Sequence, residues 1–133
     1  MAMRLLVTRS LAVLIAGVAA GPVWAAGDPA AGEKVFIKCK ACHQIGEGAK
    51  NMIGPELNGL DGRKVGSAPN YNYTEANKNS GVTWNEAEFK AYIENPKAKI
   101  PGTKMIFPGL PKPQDRDDLW AYVSQFGPDG KKK

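Results

Sequence analysis

Both cysteines of the chain and its single histidine fall within five consecutive residues, Cys39-Lys40-Ala41-Cys42-His43. Nothing else in the 133 residues constrains the fold as strongly. Two cysteines make at most one bridge, so a scaffold of several disulfides is excluded. Two cysteines and one histidine leave a fourth ligand missing, which weighs against a zinc finger. Composition sharpens the point. Apolar residues crowd into positions 1–25, and beyond them little more than a third of the residues are apolar. A typical domain has about 45–50% on a count that also includes Gly. Fifteen Gly and ten Pro imply many turns. A core this thin needs something besides side chains to fill the interior.

The apolar start reads as a leader. Arg4 and Arg9 precede the run Leu11 to Ala20, and Val23-Trp24-Ala25 offers small residues around a cleavage site. This is the layout of a secretory signal peptide. Cleavage after Ala25 is expected, giving a signal peptide over 1–25, a single domain over 26–133 and a periplasmic location. The alternative is an uncleaved anchor, but the uninterrupted apolar run falls short of the ~20 residues needed to span a bilayer. Removing the leader takes away two of the positive charges and leaves +3, from +5 for the whole chain. That bias is mild, and no basic stripe interleaved with aromatics appears, so nucleic-acid binding is disfavoured. Lys131-Lys132-Lys133 reads as a solvated end.

Past the leader the pattern is all-α, with no alternating strand pattern. Asp28-Pro29 opens a helix expected to run to Lys40 with Val35 and Phe36 inward. Gly46 to Gly66 is turn-rich, and Tyr71 to Asn79 has room for a short helix. Thr83 with Glu86 makes a capping box for a helix from Trp84 to Glu94, with Trp84, Ala87, Ala91 and Tyr92 at helical spacing. Lys97 to Pro113 reads as a loop. From Gln114 a last helix carries Leu119, Tyr122, Val123 and Phe126 on one face, ended by Gly127-Pro128.

Cys-x-x-Cys-His is the attachment signature of a c-type haem. The spacing suits thioether bonds from Cys39 and Cys42 to the haem vinyl groups. His43 is then free to bind the iron through a neutral imidazole nitrogen. A single covalent haem also answers the composition problem, because it is a large apolar body for the loops to wrap. The rivals are a Cys39–Cys42 redox disulfide and another metal site. A thioredoxin-like enzyme expects the motif between strand and helix in an α/β domain, whereas here it ends a helix in an all-α pattern. No second His exists for the other axial position, which leaves Met52 or Met105 outside the leader. Met52 is only nine residues from His43, an awkward distance for reaching the other face. Met105 lies in the rigid loop Ile100-Pro101-Gly102-Thr103-Lys104-Met105 between two helices, and a thioether suits the role.

With these residues in view, the chain closely resembles the class I cytochromes c, in particular bacterial cytochrome c2 and mitochondrial cytochrome c. The carrying segments are Cys39 to His43, Gly54-Pro55-Glu56-Leu57, Gly62-Arg63-Lys64, Tyr73 to Lys78 and Ile100 to Phe107. The resemblance implies a fold of short helices and irregular loops around one haem, with the first and last helices crossing where Gly32 and Phe36 meet Leu119 and Tyr122. It implies that the Pro55 carbonyl orients His43, and that Arg63, Tyr73 and Trp84 donate hydrogen bonds to the haem propionates. It also implies that Asn77, Tyr92 and Thr103 line the Met side. No role is assigned to Trp120.

An iron held by His43 and Met105 has no open position. The expected activity is therefore outer-sphere electron transfer with no small-molecule substrate, rather than enzymatic turnover. Lys38, Lys40, Lys97, Lys99, Lys104 and Lys112 come from segments flanking the haem edge and form a candidate docking ring. By resemblance the ring meets acidic patches on a membrane quinol–cytochrome c oxidoreductase of the bc1 type and on a terminal oxidase or photosynthetic reaction centre. A monomer is expected. Two alternatives are a haem peroxidase with a labile Met105 and a thiol–disulfide oxidoreductase using Cys39 and Cys42.

Overall fold

Asp28 and Pro29 start the first helix, α1 (Pro29–Phe36), as their chemistry dictates. The Asp28 carboxylate accepts from the Ala30 N–H at 2.9 Å, and Pro29 occupies a first-turn position that needs no N–H. The computed structural model describes residue 17 and residues 26–133, so the expected leader lies outside the described residues. Beyond α1 come α2 (Glu75–Lys78), α3 (Glu86–Glu94), α4 (Pro96–Lys99) and α5 (Pro113–Val123). The only β pairing among the described residues is two isolated bridges, Lys64 with Thr83 and Phe126 with Lys132. No helix among them is long and apolar enough to cross a membrane.

Local expectations failed at the ends of several elements. α1 stops at Phe36 rather than Lys40. The N–H groups of Ile37, Lys38 and Cys39 bond three residues back, to Lys34, Val35 and Phe36, so the cysteine motif sits on tightened turns. α3 is capped by Asn85, whose side chain accepts from Glu88 N, not by Thr83. Thr83 is bridged to Lys64, and Trp84 N–H donates to the Arg63 carbonyl at 2.9 Å. With Trp84 outside the helix, the inward face of α3 becomes Phe89, Tyr92 and Ile93, while Ala87 and Ala91 are exposed. The loop after Asn95 holds α4, because the Asn95 side chain accepts from Ala98 N and caps it. α5 ends at Val123, ahead of Gly127-Pro128. The lysine tail is exposed. Its backbone turns back, with Gly127 N–H on the Lys131 carbonyl and Lys133 N–H on the Gln125 carbonyl, both at 2.8 Å.

α1 and α5 cross at Gly32. A Cβ built there would overlap the Asp118 carbonyl and lie 2.7 Å from Tyr122 Cβ, so only Gly permits this approach. Phe36 packs on Tyr122 with ring centroids 5.4 Å apart. Asp118 is buried, and its Oδ1 accepts from both Asp28 N–H and Gln114 Nε2, each at 2.8 Å. Leu119 and Val123 are 1% exposed, the level at which each stabilises by about 2 kcal/mol. Trp120 packs on Phe89 at 5.2 Å and ties α5 to α3, which gives it a core role.

Candidate functional site

The loops between α1 and α5 enclose a cavity of about 340 Å3. His43 and Met105 both line it, as do Cys42, Pro55, Arg63, Tyr73, Asn77, Trp84, Tyr92 and Thr103. Met52 is 44% exposed and lies outside the lining, so of the two methionines beyond the leader only Met105 faces the cavity. Leu57, Leu60, Val65 and Phe107 make most of the remaining wall apolar.

Three local devices orient the side chains on which the site turns. The Cys39 carbonyl accepts from both Cys42 N–H (3.0 Å) and His43 N–H (2.9 Å), which folds the motif into one turn. Both cysteines are half-buried and not joined to each other. Burial pushes the Cys39 thiol up to about 11, helped by Cys42 and opposed by Lys38. At neutral pH it is a poor thiolate, which weighs against thiol–disulfide exchange. His43 Nδ1 lies 2.7 Å from the Pro55 carbonyl. A carbonyl can only accept, so Nδ1 carries the proton and Nε2 keeps its lone pair. Burial holds the imidazole below its ordinary pKa, against the Pro55 hydrogen bond and aided by Arg63, and so favours the neutral ring. Met105 is held from its own side: Tyr92 O–H donates to its Sδ at 3.3 Å and lies 3.1 Å from Thr103 Oγ1. Burial raises the Tyr92 pKa further and keeps that hydroxyl protonated.

The polar lining is partly committed already. Arg63 donates from Nη1 to Glu56 Oε1 and the Asn58 carbonyl, and from Nη2 to the Glu56 carbonyl, all at 2.9 Å. The Tyr73 hydroxyl accepts from Ala68 N–H at 3.0 Å and keeps its own proton to donate. Trp84 packs edge-on to Tyr92 at 5.1 Å, and its indole N–H has no hydrogen-bond partner among the described residues. Asn77 is buried, and its amide oxygen accepts from Thr74 O–H at 3.0 Å.

The candidate docking lysines divide. Lys38, Lys40, Lys97 and Lys112 are exposed. Lys99 is paired with Glu88 at 2.6 Å. Lys104 folds back: its ammonium donates to the Asn72 carbonyl and sits over the Tyr71 ring, 4.6 Å from the centroid.

Two residues that shape the pocket escaped the sequence reading. Gly54 lies against the His43 ring, where a Cβ would overlap Cε1 and stand 2.7 Å from each ring nitrogen. Tyr71 O–H donates to the Ile53 carbonyl at 2.6 Å, and its ring meets Tyr73 edge-on at 4.7 Å. The Gly-Pro turn and the tyrosine pair were visible signals, but the contacts that give them a role were not.

A mostly apolar cavity lined by an imidazole with a free Nε2, a thioether and several N–H and O–H donors fits a haem with its two carboxylates. The Cytochrome c family model matches residues 29–126. The chain belongs to the cytochrome c family. It is 68% identical over 116 residues to "Cytochrome c-554" of Methylosinus trichosporium, covering 87% of this chain and 88% of that one. It is 64% identical over 107 residues to "Cytochrome c2" of Rhodoblastus acidophilus, covering 80% of this chain and all of the relative. Among solved structures it is similar to cytochrome c2 from Rhodospirillum centenum, with a TM-score of 0.72, 41% identity and coverage of 77% and 100%. It is thus a class I c-type cytochrome resembling cytochrome c2. It has the cytochrome c fold and carries one covalently bound haem c. Its activity is electron transfer, not enzymatic turnover.

Proposed function

We propose that this family member is a periplasmic electron shuttle in which His43 and Met105 would ligate the haem iron and Cys39 and Cys42 would form the thioethers. The observation that carries the reading is the shared cavity, with His43 Nε2 left free by Pro55 and the Met105 sulfur fixed by Tyr92. When bound, haem supplies a one-electron Fe(III)/Fe(II) couple. The protein's part is to hold both ligands still, since a clamp that does not move between oxidation states keeps reorganisation small. Pro55 fixes the imidazole plane, and Tyr92 with Thr103 fixes the thioether. The apolar lining excludes water. Arg63, Tyr73 and Trp84 would present their remaining N–H and O–H groups to the propionates, because buried anions are costly unless hydrogen-bonded.

Lys38, Lys40, Lys97 and Lys112, exposed and unlike Lys99 not paired in any ion pair described, support docking to acidic faces of a bc1-type donor and of an oxidase or reaction-centre acceptor. Such encounters are small and steered by charge. Rates of reaction with an acidic redox partner are expected to fall as salt rises, and rates flat with ionic strength would remove the lysine face from the reading. The signal peptide over 1–25 supports export, and the amino-terminal sequence of the purified protein tests it. The decisive test of ligation is the near-infrared charge-transfer band of the ferric protein. The band is expected in the wild type and absent in Met105→Ala. Its survival in that variant would overturn the assignment.

A further inference from the structure

Glu56 is a charged group beside the pocket to which the reading so far gives no task. It follows Pro55, the residue that orients His43, yet it does not line the cavity. It stands behind Arg63, which does. The two form an ion pair at 2.9 Å with both side chains largely buried, 15% exposed for Arg63 and 17% for Glu56. Glu56 is itself held rigidly: its N–H donates to Asn51 Oδ1 at 2.9 Å, and its Oε2 accepts from Asn58 N–H at 2.6 Å. Asn58 is buried and anchored in turn by Gly46, through its amide oxygen and nitrogen.

A guanidinium has five N–H donors in a fixed plane. Three are spent on Glu56 Oε1, the Glu56 carbonyl and the Asn58 carbonyl. The Nε–H and the second Nη2–H are left over. All three bonds go to protein acceptors, so the plane of Arg63 at the cavity wall is set before anything binds there. Charge matters as much as aim. A lone guanidinium at the wall would favour the reduced site, which carries one positive charge fewer than the oxidised site. A carboxylate beside it opposes that preference. The effect survives at a distance because a largely buried pair is poorly screened.

We propose that Glu56 is a positioning residue for electron transfer: it clamps Arg63 in place and, by cancelling its charge at the pocket wall, holds the reduction potential down. The inference rests on ligation by His43 and Met105. The test therefore reads the near-infrared band and the potential together, on the full chain with haem attached.

Glu56→Gln keeps an acceptor oxygen for Arg63 but removes the charge. At a fixed ambient potential its reduced-to-oxidised ratio is expected to rise about threefold or more over the wild type, with the near-infrared band intact. Glu56→Asp keeps the charge and is expected to recover most of that shift. A Glu56→Gln protein with its band intact and its potential unchanged or lowered would overturn the proposal. So would a Glu56→Asp shift as large as that of Glu56→Gln, since a loss of packing alone would move both alike. A wild-type protein without the band would instead bring down the ligation reading and the inference with it.

Discussion

The α1/α5 crossing and the cavity walls are built by different means. At the crossing, backbone meets backbone: Gly32 lies on the Asp118 carbonyl, Phe36 packs on Tyr122, and Oδ1 of the buried Asp118 accepts from both Asp28 and Gln114. The protein supplies both halves of every contact. Around the cavity, loops and α3 meet through hydrogen bonds at side-chain tips, such as Tyr92 to Met105, Tyr71 to Ile53 and His43 to Pro55. Apolar faces of Leu60, Val65 and Trp84 border the cavity as well as the core. One region is a finished interface, and the other is half of one whose second half is the haem. A thin apolar composition is tolerable only in the second kind of region.

The harshest way to break the comparison is to remove the haem. In a Cys39→Ser/Cys42→Ser chain made without cofactor, the cavity walls lose their partner, and ligand binding is folding free energy in such a domain. Near-ultraviolet circular dichroism is expected to collapse, with residual amide protection confined to α1 and α5. Cooperative unfolding with wild-type protection across residues 54–107 would mean that the loops are self-sufficient.

A matched pair of substitutions sharpens it. Gly32→Ala forces apart two backbones that cannot yield, and is expected to cost about 3 kcal/mol while leaving the ferric spectrum unchanged. Gly54→Ala pushes on the His43 ring. It is expected to cost about 1–3 kcal/mol and to alter the spectrum and potential as well. Denaturant melts alongside spectra separate the two. Equal spectral effects would erase the distinction between the regions.

Tyr92→Phe is milder. It removes the hydroxyl shared by Met105 and Thr103, with an expected loss of about 1 kcal/mol and a displaced or weakened near-infrared band. An unmoved band would show that the thioether needs no support from Tyr92.

The smallest effect belongs to the surface between α3 and α5. Lys90 bridges Asp117 at 2.6 Å and Glu86 at 3.1 Å. Its ammonium is held above the usual lysine value, chiefly by the bond to Asp117. The folded-state value is the raised one. Its contribution is therefore fully present below the ordinary lysine pKa and is lost as pH rises through the folded value. Lys90→Met is expected to cost less than about 1 kcal/mol at neutral pH, and less again in high salt. A larger, salt-insensitive loss would make this pair part of the core.

Features read within a few residues of one another were legible in the sequence. The start of α1 at Asp28-Pro29, the cysteine motif with His43, and Met105 in its Pro-Gly loop all came from short-range chemistry. Thr83 shows the limit of that method. Its capping-box spacing to Glu86 is real, yet its backbone pairs with Lys64 and the next residue bonds to Arg63. Counting Trp84 as helical sets Ala87, Ala91 and Tyr92 at the helical spacing, whereas the folded α3 buries Phe89, Tyr92 and Ile93. Lys99 and Lys104 show the same limit in charge. Sequence counts them as free cations, while Glu88, Asn72 and Tyr71 engage them in the folded chain.

Sequence alone determined the chemistry of this protein. Two thiols and an imidazole within five residues, with a single well-placed thioether downstream, leave few other uses for those atoms. Only the tertiary structure decided how that chemistry is held. Gly54 against the imidazole, Tyr92 on the sulfur and Glu56 behind Arg63 are contacts between groups whose spacing along the chain carries no periodic signal. Each depends on approaches of a few ångströms that appear only when the loops close around a common centre.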